Sequence, residues 1–133
     1  MIQYVDAQVG EYQPGVCNIG PAEIRRRRQT GYLGVGAAIA LGAFLLVLDA
    51  PAWIRLAVAL PLAAGFSGLI QARLRFCAGF AMAGLRNMGE LGEQVRVEDA
   101  EARAVDRRKA MRINAASIAG GLAVGIAFAL LAP

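Results

Sequence analysis

The sequence contains no histidine in its 133 residues. This absence excludes haem held by imidazole and most zinc sites, and it removes the residue that most often acts as a general base near neutral pH. Two cysteines are too few for the disulfide framework of a small secreted protein. Without histidine, no nucleophile–base pair suited to hydrolysis is recognisable. We therefore expect no enzymatic activity, no cofactor and no metal centre.

Charged residues are missing from long stretches of the chain. Residues 31–48 form an uncharged run that is long enough for a transmembrane helix. A second run, residues 56–70, contains Pro61 and is short, so it needs flanking residues to complete a crossing. A third covers residues 113–131. Because 57% of the residues are hydrophobic and lie in blocks, the sequence predicts an all-α integral membrane protein with three transmembrane helices.

These runs divide the chain into four parts. Residues 1–20 are predicted to form a cytoplasmic N-terminal arm, and residues 21–72 a tight transmembrane hairpin. Residues 73–112 are predicted to be a cytoplasmic segment that ends in a charged helix from Glu93 to Arg112. Its apolar piece at 76–85 is too short to span a membrane, so it is predicted to be interfacial, re-entrant or a helix packed beneath the hairpin. Residues 113–133 are predicted to be the third transmembrane helix.

The basic residues indicate the orientation. Thirteen of the fourteen lysines and arginines lie at residues 25–28 or 73–112, the parts predicted to be cytoplasmic. The positive-inside rule then predicts a bacterial-type inner membrane protein with its N-terminus in the cytoplasm and its C-terminus outside. The sequence has no basic face with interleaved aromatic residues, which is the pattern that indicates nucleic-acid binding. Anionic lipid headgroups are therefore the expected partner. The residues predicted to contact headgroups are Arg25, Arg26, Arg27, Arg28, Arg73, Arg75, Arg107, Arg108, Lys109 and Arg112.

Small residues recur at four-residue spacing in two of the spans, which places them on one helix face. They are Gly34, Ala38 and Gly42 in the first span, and Ser117, Gly121, Gly125 and Ala129 in the third. The third-span face is predicted to pack on the hairpin or on a second copy. The leading functional prediction is a non-enzymatic membrane protein that acts through helix packing, as a homo-oligomer or an accessory subunit. A small channel or exporter lined by glycine and alanine is a weaker alternative.

The two thiols support a different hypothesis. Cys17 precedes the first span and Cys77 follows the second, so both are predicted to lie in the same cytoplasmic layer. Neighbouring arginines would favour the thiolate, which is the reactive form. The alternative for Cys77 is a small, buried and inert side chain, since it lies in an apolar run. If the thiols are reactive, the protein would handle sulfur compounds or soft metals.

Several short motifs resemble a known family. They are Asn18, Ile19 and Gly20; Ile24 followed by four arginines; Gly65, Phe66, Ser67 and Gly68; and Cys77. Over about residues 17–85 the chain resembles the inner-membrane helical-hairpin domain that forms the transmembrane half of YgaP-like rhodanese proteins. The resemblance implies a two-helix hairpin with a short outer loop, self-association, and in some members a link to sulfur-handling proteins.

Overall fold

The computed structural model describes residues 12–131. Its helices and strands, in chain order, are α1 (Pro21–Val47), α2 (Ala52–Arg55), a 3-10 turn (Leu56–Val58), α3 (Ala59–Leu74), α4 (Ala78–Ala83), β1 (Leu85–Arg86), β2 (Val95–Arg96) and α5 (Ala100–Leu131). The first eleven residues of the predicted arm and the last two of the predicted third span lie outside this range.

Within the described residues, three helical segments are long and apolar enough to cross a membrane. They are Pro21–Val47, Ala52–Leu74 and Ala100–Leu131. The prediction of three such helices is confirmed at this level. The second segment consists of α2, the 3-10 turn and α3 in succession, so the short apolar run at 56–70 gains length at both ends.

Helix α1 begins and ends where its local sequence favours it. Pro21 occupies the start of the helix and Glu23 lies in the first turn, which suits the free N–H groups and the positive end of the helix dipole. After Val47, Asp49 adopts a left-handed conformation with φ of 55°, and Pro51 precedes α2. The local sequence therefore accounts for both the start of α1 and the turn that follows it.

Glycines bring α1 and α3 into close backbone contact. A Cβ atom added at Gly68 would lie 2.7 Å from both the Arg27 carbonyl oxygen and the Gly31 nitrogen. A Cβ at Gly65 would lie 2.7 Å from the Val35 nitrogen. Only residues without a side chain permit this approach, which is typical of membrane helix pairs.

Helix α5 packs on the other side of α3. A Cβ at Gly121 would lie 2.8 Å from the Ala63 nitrogen, and one at Gly125 would lie 2.9 Å from the Ala59 Cβ. Ser117 and Ala129 are buried on the same face of α5. The predicted small-residue face of the third span therefore packs on the hairpin, the first of the two alternatives left open by the sequence.

The structure corrects the predicted charged helix. No break separates it from the third span, because α5 is a single helix of 32 residues that begins at Ala100 rather than Glu93. The predicted boundary at residue 112 falls inside this helix. Residues preceding α5 include strand β2, which pairs antiparallel with β1. The Asp99 carboxylate then accepts a hydrogen bond from the Ala102 N–H at 3.0 Å and so starts the helix.

The short apolar segment at 76–85 packs beneath the long helices. Its helix α4 lies against the first half of α5, where Phe76, Ala78 and Ala81 form a buried cluster with Ala110 and Ile113. Of the predicted placements for this segment, the structure shows a short helix packed under the hairpin. We call residues 12–20 and 76–99 together the cap.

Candidate functional site

Asn18 joins the N-terminal arm to the end of the hairpin. Its amide Nδ2 donates to the Cys77 carbonyl at 3.1 Å, and its Oδ1 accepts from the Cys77 N–H at 2.6 Å. Its own backbone N–H donates to the Arg75 carbonyl at 3.2 Å, and its carbonyl accepts from the Asn87 N–H at 2.9 Å. Asn18 is fully buried. Because every one of these polar groups is paired, the burial costs little and the arm is held in one position.

A second buried amide, Asn87, holds the only carboxylate at the base of α1. Its Nδ2 donates to Glu23 Oε2 at 3.2 Å and to the Glu90 carbonyl at 2.8 Å. Glu23 is 2% exposed, and its Oε1 lies 3.4 Å from Nη2 of Arg27, one helical turn away. A buried carboxylate needs such partners, since an unpaired charge is strongly disfavoured in the interior. The pairing turns Arg27 inward.

The inward position places Arg27 on the Cys77 thiol. Its Nη2 lies 2.8 Å from Sγ, and the same guanidinium stands 5.6 Å from the centre of the Phe80 ring. The Phe80 N–H also points to Sγ at 3.5 Å, since Cys77 caps helix α4. The Cys77 sulfur therefore contacts both a cation and an N–H donor. Cys77 is nevertheless only 3% exposed, so it is both buried and next to a cation.

Cys17 lies in a different environment. Its thiol is half-buried and donates to the Ile19 carbonyl at 3.4 Å. Burial raises the pKa of Cys17, and the charges of Arg75 and Lys109 offset only part of that shift. Both cysteines belong to the cap, and both are free thiols.

Asp106 anchors the start of the described chain to α5. Its carboxylate accepts hydrogen bonds from the Tyr12 hydroxyl at 2.5 Å and from the Gly15 N–H at 2.7 Å, and it is 1% exposed. Burial and then the bond to Asp106 raise the pKa of Tyr12, so the phenol remains a donor. Lys109, one turn along α5, donates to the Val16 carbonyl at 3.3 Å. These contacts fix the arm on α5.

Sequence reasoning named Asn18 only as part of the family resemblance and did not single out three other polar residues of this network: Gln71, Asn87 and Asp106. Gln71 accepts from the Ala78 N–H at 3.0 Å and so links α3 to α4. For Gln71 and Asn87 the available signal was position, because each follows an apolar run closely, where a polar side chain can reach a neighbouring backbone.

The predicted headgroup residues separate into groups. Arg25, Arg28, Arg73 and Arg75 line one cleft of about 840 Å³ at the base of α1 and α3. Arg26, Arg107, Arg108 and Arg112 are exposed elsewhere. Arg27 faces Cys77, and Lys109 lies 4.8 Å from the centre of the Phe76 ring. Only the first group is gathered around a single concave surface.

The small residues of α1 are also divided. Gly34 faces α3, since a Cβ there would lie 2.6 Å from the Gly65 Cα. Ala38 and Gly42 instead line an apolar groove of about 360 Å³ between α1 and α5, together with Phe128. This groove, the arginine-lined cleft and the cap are the features from which we argue function.

No protein-family model, curated protein or solved structure matches this chain. The likeness to the YgaP-like hairpin domain therefore stays a prediction.

Proposed function

We propose that this chain is a non-enzymatic integral membrane protein that acts through helix packing, as a homo-oligomer or as an accessory subunit of a membrane complex. We place it in a bacterial-type inner membrane with the N-terminus in the cytoplasm and the C-terminus outside, on the distribution of basic residues. The observation that carries the proposal is the groove between α1 and α5.

The groove exists because α3 is the central helix. Both α1 and α5 pack on α3 and make few direct contacts with each other. The small-residue face of α5 and the glycines of α1 nearest the cap are already covered by α3. Ala38 and Gly42 form the buried floor of the groove, and Ala43, Ile39 and Leu46 are its exposed residues on α1. An apolar groove floored by small side chains lets the backbone of another helix approach closely.

Substitution of Ala43 by leucine tests this proposal. Ala43 is exposed and lines the groove, so a leucine fills the groove without displacing a buried atom. Ala37→Leu is the matched control, because Ala37 is exposed on α1 but lies outside the groove. Blue native electrophoresis of the membranes should show the wild type and Ala37→Leu in a species larger than the 14.0 kDa chain, and Ala43→Leu shifted to the monomer. A wild-type monomer, or equal behaviour of the two variants, would contradict groove packing.

The contact between Arg27 and Cys77 favours a second candidate, a thiol-dependent protein that handles sulfur compounds or soft metals. A Cys77 thiolate would attack the terminal sulfur of a persulfide donor, R–S–SH. This step forms Cys77–S–SH and releases R–S⁻, so atoms and charge balance. Because Cys77 is buried, the donor would approach Sγ past the exposed Gly79, where a Cβ would lie 3.8 Å from the sulfur.

Arg27→Gln tests the thiol hypothesis, with Arg26→Gln as the control of equal charge on the same helix. At one fixed pH, Cys77 should be alkylated more slowly in Arg27→Gln than in the wild type, because the guanidinium that contacts Sγ is lost. Arg26→Gln should follow the wild type. If Arg27→Gln leaves the rate of alkylation unchanged, and no persulfide forms on Cys77 with a persulfide donor, the hypothesis fails.

A further inference from the structure

The arginine-lined cleft at the base of the hairpin has the composition of a binding site. Its wall is formed by Arg25 and Arg28 of α1 and by Arg73 and Arg75 at the end of α3. Among the described residues, no aspartate or glutamate lines it. The carboxylate of α1 nearest to it, Glu23, is buried against Asn87. The positive charge of the cleft is therefore not neutralised from within.

The remaining lining is apolar and leads toward the membrane side. Ile24, Leu69 and Ala72 contribute aliphatic surface, and Tyr32 lies one helical turn beyond Arg28 along α1. Tyrosine is favoured at the level of lipid headgroups. A ligand that fits this arrangement carries a negative headgroup at one end and hydrocarbon at the other.

The start of α1 adds to the positive potential. Pro21 borders the cleft, and helix α1 begins at Gly20 without a side-chain cap. The first turn of a long helix carries a partial positive charge, which is favourable for an anion next to it. Four guanidinium groups provide the bidentate donors that phosphate oxygens accept.

We propose that this cleft is a specific site for one anionic phospholipid, with the phosphate between the arginines of α1 and α3 and an acyl chain along Leu69 and Tyr32. The proposal is independent of the packing and thiol functions argued above. It also differs from general attraction to a negative membrane surface, since it assigns binding to four of the basic residues and denies it to Arg26.

Native mass spectrometry of the full chain in detergent tests this site, with phosphatidylglycerol and phosphatidylcholine as the lipids. The wild type should bind phosphatidylglycerol in preference to phosphatidylcholine. The double variant Arg25→Gln/Arg28→Gln should bind phosphatidylglycerol roughly thirtyfold more weakly, which is about fivefold for each basic residue near the membrane surface. Both side chains are exposed, so the variant is expected to fold. Arg26→Gln should bind like the wild type.

Three outcomes would overturn the proposal. Equal binding of the two lipids would show that the site does not select charge. An equal loss in Arg26→Gln would show that surface charge, not the cleft, attracts the lipid. Displacement of phosphatidylglycerol by millimolar glycerol phosphate would show a site for a free phosphate compound, because the acyl chain would then contribute nothing.

Discussion

Substitution of Gly68 by alanine probes the close backbone contact between α1 and α3. The added Cβ would lie 2.7 Å from the Arg27 carbonyl oxygen and the Gly31 nitrogen, and 2.8 Å from the Gly31 Cα. All three atoms belong to the α1 backbone, so no side-chain rotation can relieve the overlap. The two helices must separate, and a gap of 0.5–1 Å already forfeits about a quarter to a half of each dispersion contact along the seam.

The loss of stability expected for Gly68→Ala is obtained by comparison with Gly36→Ala. Gly36 lies in the same kind of helix, but a Cβ there meets no atom within 4 Å. Both variants share the intrinsic gain of replacing glycine by alanine in a helix, about 1 kcal/mol. The difference between their free energies of unfolding is therefore the cost of the overlap between the added Cβ and the α1 backbone. Overpacking of this kind typically costs about 1–3 kcal/mol.

The assay is reversible unfolding in mixed micelles of dodecyl maltoside and SDS, followed by far-UV circular dichroism. Gly68→Ala should unfold at a lower SDS fraction than the wild type, and Gly36→Ala at an equal or higher one. Equal free energies of unfolding for the two variants would refute the close α1–α3 seam, and with it the central position of α3.

Three further predictions concern the cap. Asn18→Ala removes both side-chain bonds to the Cys77 backbone and leaves buried groups unpaired, so it should lower the free energy of unfolding by about 2–5 kcal/mol in the same assay. Tyr12→Phe removes the hydroxyl that donates to Asp106, and limited proteolysis should cut the arm faster than in the wild type. Burial raises the pKa of Cys17, so the folded chain favours the neutral thiol. The contribution of this thiol to the free energy of unfolding is present below the ordinary thiol pKa and is lost as pH rises through the raised pKa. Alkylation of Cys17 in a Cys77→Ser background should therefore be slower at pH 8 in the folded chain than in the denatured chain.

Each of these predictions has a result that would contradict it. Tyr32→Phe is the control for the arm, since Tyr32 is 64% exposed, and equal proteolysis of the two phenylalanine variants would deny the anchoring role. An Asn18→Ala variant as stable as the wild type would mean that the arm is not held by the amide. Equal alkylation of folded and denatured Cys17 would mean that burial does not protect the thiol.

The sequence predicted the long helices but only part of their packing. Uncharged runs reveal apolar helices directly, because their length must match the bilayer. The four-residue spacing found the α5 face, but the α1–α3 seam uses Gly65 and Gly68 at three-residue spacing, opposite Gly31. The sequence of either helix alone does not show which of its several small residues faces a neighbour. The α1–α3 contact can therefore be identified only once the two helices are placed together.

The cap was the least predictable part for a related reason. Strands β1 and β2 have two residues each, which is too short for any periodicity to show. The Asn18 side chain bonds to the Cys77 backbone and the Asn87 side chain bonds to the Glu23 carboxylate. Both partners are far away in the chain, so these bonds depend on tertiary placement. The helix start at Ala100 follows from the Asp99 cap, a signal that the sequence does carry and that the charged run from Glu93 obscured.

The four consecutive arginines of α1 show how a single charge run can serve separate purposes. Successive residues on a helix point about 100° apart, so the four cannot share one surface. Arg25 and Arg28, three residues apart, line the cleft, whereas Arg27, four residues after Glu23, turns inward to Cys77. Lipid selectivity and thiol reactivity should therefore respond to different substitutions. Arg25→Gln/Arg28→Gln should weaken phosphatidylglycerol binding and leave the rate of Cys77 alkylation unchanged. Arg27→Gln should slow the alkylation of Cys77 and leave phosphatidylglycerol binding unchanged. If each variant changed both properties, the division of this helix into two functional faces would be wrong, and the arginines would act as one diffuse field.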